Sequence, residues 1–196
     1  MKISIPKLAK NLPEFGTASD ITIFPSSVFG NRTYHPFHWR RVVALLRKAL
    51  PAASIVIAWN AHSSFPKELE GCAPVRLCDS MHHAAALIQK SQLVLGMDSG
   101  PMHVAGMLGV QGLAAIGPVS GQSVFGHFPT IQPIQGKMKC APRGFQASRG
   151  YRPKDCGKWC SSLNSISPDR LAETVKRTFK AAIPTLRPTR SRNLAR

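Results

Sequence analysis

Seventeen consecutive residues, LVLGMDSGPMHVAGMLG at positions 93–109, constrain the fold of this chain more than any other segment. The first five are apolar and form a run of the length typical of a buried strand. The polar turn at 98–100 cannot continue this strand, whereas Pro101 suits the first position of a helix and Gly109 suits a helix end. The segment therefore predicts a strand, a tight turn and a helix. The backbone N–H groups at the start of that helix form a potential anion site.

Short apolar runs alternate with amphipathic segments along the rest of the chain. The predicted strands are residues 21–25, 54–59, 75–77 and 112–116, and the predicted helices are residues 37–50, 80–90 and 168–182, the last capped by Ser167. Residues 136–166 show no clear period and are expected to be irregular. This alternation indicates an α/β fold, a three-layer Rossmann-like domain with a parallel sheet and helices on both faces.

The carboxyl ends of parallel strands meet at one rim of the sheet, and ligands bind beyond that rim. The loops expected to share it follow Pro25, Trp59, Met97 and Ile116.

Composition divides the chain into three parts. Residues 1–20 are expected to form an N-terminal arm or linker, residues 21–183 the folded domain, and residues 184–196 a basic, disordered tail. No segment approaches the ~20 apolar residues of a membrane span, and the first ten residues are too polar for a signal peptide. We therefore expect a cytoplasmic protein.

The charge is strongly positive and uneven. The 26 Lys and Arg against 9 Asp and Glu give a net charge of +17. Residues 1–136 carry 11 basic and 6 acidic side chains, whereas residues 137–196 carry 15 and 3. Such a chain favours anionic partners, which include nucleic acid, acidic lipid and phosphorylated substrates.

Five cysteines without an export signal favour reduced thiols over disulfides. Cys140, Cys156 and Cys160 could bind a metal with His127, but their spacing is not that of a standard zinc ribbon. A structural thiol cluster is the preferred interpretation, and no metal site is predicted.

Two sequence patterns resemble one known family. The string DSGPMH at 98–103, followed by a helix rich in Ala and Gly and then by Gly117-Pro118, is similar to the signature of the glycosyltransferase family 9 heptosyltransferases. The segment after the first predicted strand is also similar, through Ser26, Ser27, Arg32, Tyr34 and Trp39. The family usually has Lys in place of Arg32 and Trp in place of Tyr34.

The resemblance covers roughly residues 20–182 in motif order and points to the C-terminal, donor-binding half of a two-domain GT-B fold. Members of the family transfer heptose from ADP-heptose to the lipopolysaccharide inner core. The family's N-terminal domain supplies the acceptor site and an acidic general base, and no residue here matches that base. The resemblance therefore implies a detached donor half, a degenerate relative or a fragment of a longer gene. Such a chain is expected to bind the donor and to have little or no activity alone, and its catalytic residue is unassigned.

The resemblance assigns seven residues to donor and diphosphate binding: Ser26, Ser27, Arg32, Asp98, Ser99, Gly100 and His103. Hydroxyls, amides and a permanent cation suit a leaving diphosphate. Asp98 is a poor phosphate contact and is expected to shape its own turn or to hold a sugar hydroxyl. These residues could also have no ligand. In that case residue 99 is a plain helix N-cap, and residues 26–32 form a solvated loop.

Two further segments fall where nucleotide contacts are expected. His62 and Ser63 follow the second strand, where the resemblance places contacts to the ribose. The family tends to have an acidic residue near this position, and the first one after Ser63 is Glu68. Residues 79–81 precede a helix where the family lines the adenine, and Ser80 is also a good N-cap.

The preferred function is transfer of a sugar from a nucleotide-diphosphate donor such as ADP-heptose, which is a substrate; no cofactor is expected. The helix N-termini and Arg32 can carry the phosphate charge without a divalent metal. The partners expected are the nucleotide sugar, a separate acceptor-binding domain or protein, and anionic lipid at the inner membrane. The alternatives are a non-catalytic nucleotide-sugar-binding subunit and a basic nucleic-acid-binding protein, with Tyr151 and Trp159 among its cations.

Overall fold

The computed structural model describes residues 12–27, 32–138 and 160–182. Within these residues a six-stranded sheet is flanked by helices. Its strands are β1 (Ser19–Ile23), β2 (Ile55–Asn60), β3 (Val75–Cys78), β4 (Ser91–Met97), β5 (Gly112–Ile116) and β6 (Ile131–Gln135). The helices are α1 (Pro36–Ala49), α2 (Met81–Gln89), α3 (Gly100–Leu108), α4 (Gly121–Phe125), α5 (Ser161–Asn164) and α6 (Pro168–Ala182), and a 3-10 turn lies at Lys67–Leu69.

All neighbouring strands are parallel, in the order β3-β2-β1-β4-β5-β6. Ile21 of β1 pairs with Ile55 of β2 on one side and with Leu93 of β4 on the other. The strand order therefore reverses between β1 and β4, which opens a crevice at their carboxyl ends. The predicted three-layer α/β fold with a parallel sheet is confirmed.

Helix ends lie where local chemistry favours them. Ser80 is the N-cap of α2, and its hydroxyl accepts a hydrogen bond from the backbone N–H of His83. Ser99 is the N-cap of α3, and Gly109 ends that helix with a φ of +70°, a left-handed conformation that glycine adopts without strain. Ser167 caps the start of α6 by accepting the N–H of Arg170.

Two apolar layers hold the helices on the sheet. One lies beneath α1 and α6 and includes Trp39, Leu46 and Val175, all essentially inaccessible to solvent. The other lies beneath α2 and α3 and includes Ile88 and Met102. Each fully buried aliphatic or aromatic side chain stabilises the fold by about 1.5–3 kcal/mol, so both layers fix the helices firmly.

The N-terminal boundary differs from the sequence expectation. β1 begins at Ser19, so the expected division between residues 20 and 21 falls inside a strand. The residues before it contact α2: the ring of Phe15 stacks on His83 at 4.1 Å, and the carbonyl of Gly16 accepts a hydrogen bond from Lys90.

Three elements were not predicted. Helix α4 and strand β6 lie between residues 121 and 135, and helix α5 lies inside residues 136–166, which we expected to be irregular. The expected tail at 184–196 and residues Cys140, Cys156, Tyr151 and Trp159 lie outside the described residues. No helix in the described ranges is both long enough and apolar enough to cross a membrane.

Candidate functional site

A cavity of about 440 Å³ lies at the carboxyl ends of the strands, where the strand order reverses. Loops that follow four neighbouring strands, β3, β2, β1 and β4, form its wall. The lining residues are Phe24, Ser26, Ser27, Arg32, Ala58, Trp59, Asn60, His62, Ser63, Cys78, Asp79, Ser80, Met81, Ala84, Asp98, Ser99, Gly100 and Pro101. Crevices at this position in open α/β sheets are where ligands bind.

The cavity brings together six of the seven residues assigned to donor binding. Ser26, Ser27 and Arg32 come from the loop after β1, and residues 98–100 come from the turn after β4. His103 is not part of the lining. Its ring packs on Phe125, with centroids 4.8 Å apart.

The loop after β5 does not line the cavity, although the sequence suggested it as part of the functional rim. Gly117 packs instead against Leu163 of α5, closely enough that a Cβ there would collide with the Leu163 backbone. The buried hydroxyl of Ser162 donates a hydrogen bond of 3.1 Å to the Gly117 carbonyl. The loop after β3, with Asp79 and Ser80, forms part of the wall in its place.

Asp98 is the centre of a charged contact at the cavity wall. Its Oδ2 lies 3.1 Å from Nη1 of Arg32, and both side chains are largely buried. Its Oδ1 lies 3.8 Å from Nε2 of His103. The carboxylate is therefore balanced by a permanent cation, and an anionic ligand in the cavity does not meet an isolated negative charge.

The N-terminus of α3 opens into the cavity without a side-chain cap. The hydroxyl of Ser99 lies 3.4 Å from the carbonyl of Met97 and, within the described residues, does not cap the N–H groups of the first turn. A Cβ added at Gly100 would meet a single described atom within 4 Å, the terminal methyl of Met81 at 3.0 Å. A ligand can therefore approach this backbone closely.

The N-terminus of α2 lines the same cavity. Ser80 and Met81 lie on its wall, next to the loop that contains Gly100. Each helix N-terminus carries a partial positive charge of roughly half a unit, so the two ends together favour an anion between them. The expected N-cap role of Ser80 is confirmed.

The loop after β2 is held in place by its own hydrogen bonds. The side-chain oxygen of Asn60 accepts the N–H of His62 at 2.9 Å, and the indole N–H of Trp59 donates to the carbonyl of Ser63 at 3.0 Å. Nε2 of His62 lies 3.2 Å from the carbonyl of Asp79, which joins this loop to the start of α2. His62 and Ser63 thus face the cavity, as the sequence suggested.

Cys78 lines the cavity, a position that the sequence pattern did not predict. It is buried at the end of β3, and burial, with a smaller contribution from the charge of Asp79, raises the pKa of its thiol to about 11. The thiol is therefore protonated at neutral pH and belongs to an apolar wall with Phe24 and Ala58. Its position as the last residue of a parallel strand is the signal that could have identified it.

The suggested cysteine cluster is only partly described. Cys160 is buried at the start of α5, and the ring of His127 packs on Phe128 with centroids 4.0 Å apart. In the described ranges no group of three metal-binding side chains comes together.

Similarity to solved structures supports the assignment of the fold. The chain matches E. coli ADP-heptose lipopolysaccharide heptosyltransferase II with a TM-score of 0.62 and 17% identity, covering 84% of this chain and 47% of that one. It matches E. coli heptosyltransferase WaaC, solved with ADP-2-deoxy-2-fluoro heptose, with a TM-score of 0.60 and 15% identity, covering 87% and 46%. It also matches the dodecameric iron-containing glycosyltransferase TibC of enterotoxigenic E. coli with a TM-score of 0.64 and 13% identity, covering 87% and 47%.

The chain thus spans about half the length of these solved proteins. No curated protein matches it in sequence. The model of glycosyltransferase family 9 (heptosyltransferase) matches residues 1–141, which is more than half of the sequence and includes both β1 with its loop and the DSGPMH turn. The chain belongs to glycosyltransferase family 9.

Proposed function

We propose that the cavity binds the nucleoside-diphosphate part of a sugar donor, of which ADP-heptose is the preferred candidate. The observation that carries this proposal is the meeting of two helix N-termini, α2 and α3, in one cavity at the point where the strand order reverses. Solved heptosyltransferases similar to this chain have been crystallised with ADP, ADP-2-deoxy-2-fluoro heptose or ADP-D-beta-D-heptose, which supports the same ligand class here.

The diphosphate fits best against the first turn of α3. Backbone N–H groups there point to the ligand, and Gly100 allows a phosphate to approach closely. Arg32 balances the charge of Asp98, so the site retains the positive potential of the helix ends. The apolar wall with Phe24, Ala58 and Cys78 suits the flat ring of a nucleobase.

The reaction that we propose is an inverting displacement at the anomeric carbon. An acceptor hydroxyl forms the new C–O bond while the bond from that carbon to the phosphate oxygen breaks. The nucleoside diphosphate leaves with the electron pair, and its growing charge is stabilised by the α3 N-terminus. The hydroxyl proton goes to a general base, which we assign to the acceptor-binding half of the complete enzyme and not to any described residue.

Titration calorimetry with ADP tests the binding role. We expect the unmodified chain to bind ADP, and Gly100→Leu to bind at least about tenfold more weakly because its side chain occupies the diphosphate position. The folded state should be preserved, since a Cβ at this position meets only a flexible methyl group.

Gly109→Ala is the matched control at the opposite end of α3. It places alanine in a left-handed conformation and is expected to lower stability by about 1 kcal/mol while leaving ADP affinity unchanged. No heat with ADP or ADP-sugars, or equal affinity for the Gly100→Leu variant, would contradict the proposed site.

A transfer assay separates a donor-binding half from a complete enzyme. We expect the purified chain to bind ADP-sugar and to transfer little sugar to a lipopolysaccharide acceptor. Efficient turnover by this chain alone would show that the general base lies within it.

A further inference from the structure

The two helical layers of the fold differ sharply in charge. Helices α1 and α6 pack side by side on one face of the sheet and together carry eight basic and two acidic side chains. The basic ones are Arg40, Arg41, Arg47, Lys48, Arg170, Lys176, Arg177 and Lys180. Helices α2 and α3, on the opposite face, contain no Lys, Arg, Asp or Glu. The described positive charge is therefore concentrated on the α1–α6 face.

The outward stripe of α1 combines positive charge with an exposed aromatic ring. Trp39, Val42, Val43 and Leu46 face the core. Phe37, Arg41 and Lys48 recur on the opposite side at helical spacing and are exposed. Phe37 is 59% exposed, which is high for an aromatic side chain.

The acidic residues of α6 do little to neutralise this face. Asp169 lies 3.7 Å from Arg41, and both side chains are more than half exposed. Glu173 pairs with Lys176 on its own helix, at 2.5 Å. Exposed pairs of this kind are weak, and a net charge of +6 remains on the two helices.

We propose that the α1–α6 face docks on the surface of a bilayer that contains anionic phospholipid. Each Lys or Arg held near such a surface strengthens binding about fivefold, so several together suffice for peripheral attachment. The ring of Phe37, on the same stripe as Arg41 and Lys48, enters the boundary between headgroups and acyl chains. This inference does not depend on the ligand of the cavity.

The shape of the face favours lipid over nucleic acid. The two helices lie flat against the sheet, so neither protrudes to enter a groove of a duplex. Binding of single strands uses several aromatic stacking platforms, whereas Phe37 is the exposed large hydrophobic side chain described on this face. A flat basic layer matches a flat anionic surface.

Docking through this face leaves the cavity accessible. The α2 and α3 N-termini that line the cavity belong to the opposite layer, and none of Phe37, Arg41 and Lys48 lines the cavity. The protein can therefore hold a water-borne ligand while attached to the bilayer.

Vesicle flotation of the full chain tests the proposal. The assay compares binding to phosphatidylcholine vesicles that contain or lack phosphatidylglycerol, each at low and at high salt. Binding is expected only with phosphatidylglycerol and should weaken as salt increases. The variant Arg41→Gln/Lys48→Gln/Arg177→Gln should bind about a hundredfold more weakly. The charge-preserving variant Arg41→Lys/Lys48→Arg/Arg177→Lys is the matched control and should retain binding.

Phe37→Ala separates insertion of the aromatic ring from electrostatic attraction of the basic side chains. This variant should bind vesicles severalfold more weakly, and the salt dependence of its binding should not change.

Three results would overturn the proposal. One is equal binding to neutral vesicles. Another is unchanged binding of the triple Gln variant, which would place the contact in other basic segments of the chain. The third is tight binding to DNA or RNA that the triple Gln variant loses, without binding to phosphatidylglycerol vesicles.

Discussion

Arg32 and Asp98 are far apart in the sequence and form an ion pair, with Nη1 and Oδ2 separated by 3.1 Å. The side chains are only 15% and 8% exposed. Arg32 follows β1 and Asp98 follows β4, the two strands between which the order of the sheet reverses. The pair therefore joins two of the loops that form the wall of the cavity.

Asp98→Asn should lower the free energy of unfolding by roughly 2–3 kcal/mol, because it removes the carboxylate charge that lies 3.1 Å from a largely buried guanidinium. Urea unfolding measures this loss. Asp169→Asn is the control: its partner Arg41 is exposed, and the expected loss is below about 0.5 kcal/mol. In a double-mutant cycle with Arg32→Gln, additive losses would show that the pair is not coupled.

Much of this architecture could be predicted from local pattern. The strand, turn and helix around residues 93–109 are as expected, with Gly109 at the helix end. Of the two possible N-caps, Ser99 and Gly100, the structure has Ser99, so the helix begins at Gly100 and Pro101 is its second residue rather than its first. Short apolar strands and capped helices carry their signals within a few residues. The same holds for α6, whose start at Pro168 and cap at Ser167 were both predicted.

The missed elements depend on tertiary contacts. Strand β6 contains Pro133, which cannot donate to a ladder, and it lies at the edge of the sheet where proline is tolerated. Helix α5 has four residues and is held by packing against Gly117 and Gly136. The Arg32–Asp98 pair requires knowledge that β1 and β4 are neighbours, which sequence pattern alone does not provide.

ADP binding should be insensitive to metal removal. In the proposed site the helix N-termini of α2 and α3 supply the positive potential that a divalent cation supplies elsewhere. Calorimetry in EDTA and in excess Mg²⁺ should therefore give the same ADP affinity within about twofold. If ADP binding is lost in EDTA and recovers on adding Mg²⁺, a metal ion neutralises the phosphate charge. That result would contradict the role proposed for the two helix N-termini.

Gly136→Ala should be strongly destabilising. A Cβ at Gly136 would collide with the carbonyl oxygen of Ser162, which is backbone and cannot rotate away. Displacing α5 should cost about 3 kcal/mol or more. Gly100→Ala is the comparison, since its Cβ meets only the methyl of Met81, and its stability should stay within about 0.5 kcal/mol of the unmodified chain. Equal unfolding midpoints for the two variants would show that α5 is not fixed against this turn.

Stability should fall as the pH rises above 9, because burial of Cys78 raises the pKa of its thiol from 9.0 to about 11. Between these pH values the thiol of the unfolded chain has lost its proton, whereas the thiol of the folded chain keeps it. The stability that the buried, protonated thiol contributes is therefore fully present below pH 9 and lost by about pH 11. The loss should be on the order of 1–2 kcal/mol in urea unfolding across this range. Cys78→Ala should flatten this part of the profile.

Two variants show whether Cys78 is the source of the slope. Cys72→Ala removes a thiol outside the cavity and keeps Cys78, so the decline above pH 9 should remain. Burial also raises the pKa of the Tyr34 hydroxyl above its ordinary value of 10.0, so Tyr34→Phe should remove only the part of the decline that begins near pH 10. An unchanged profile in the Cys78→Ala variant would mean that the thiol ionises in the folded state as readily as in the unfolded chain. The wall of the cavity beside Asp79 would then be open to water, contrary to the buried position found for this thiol.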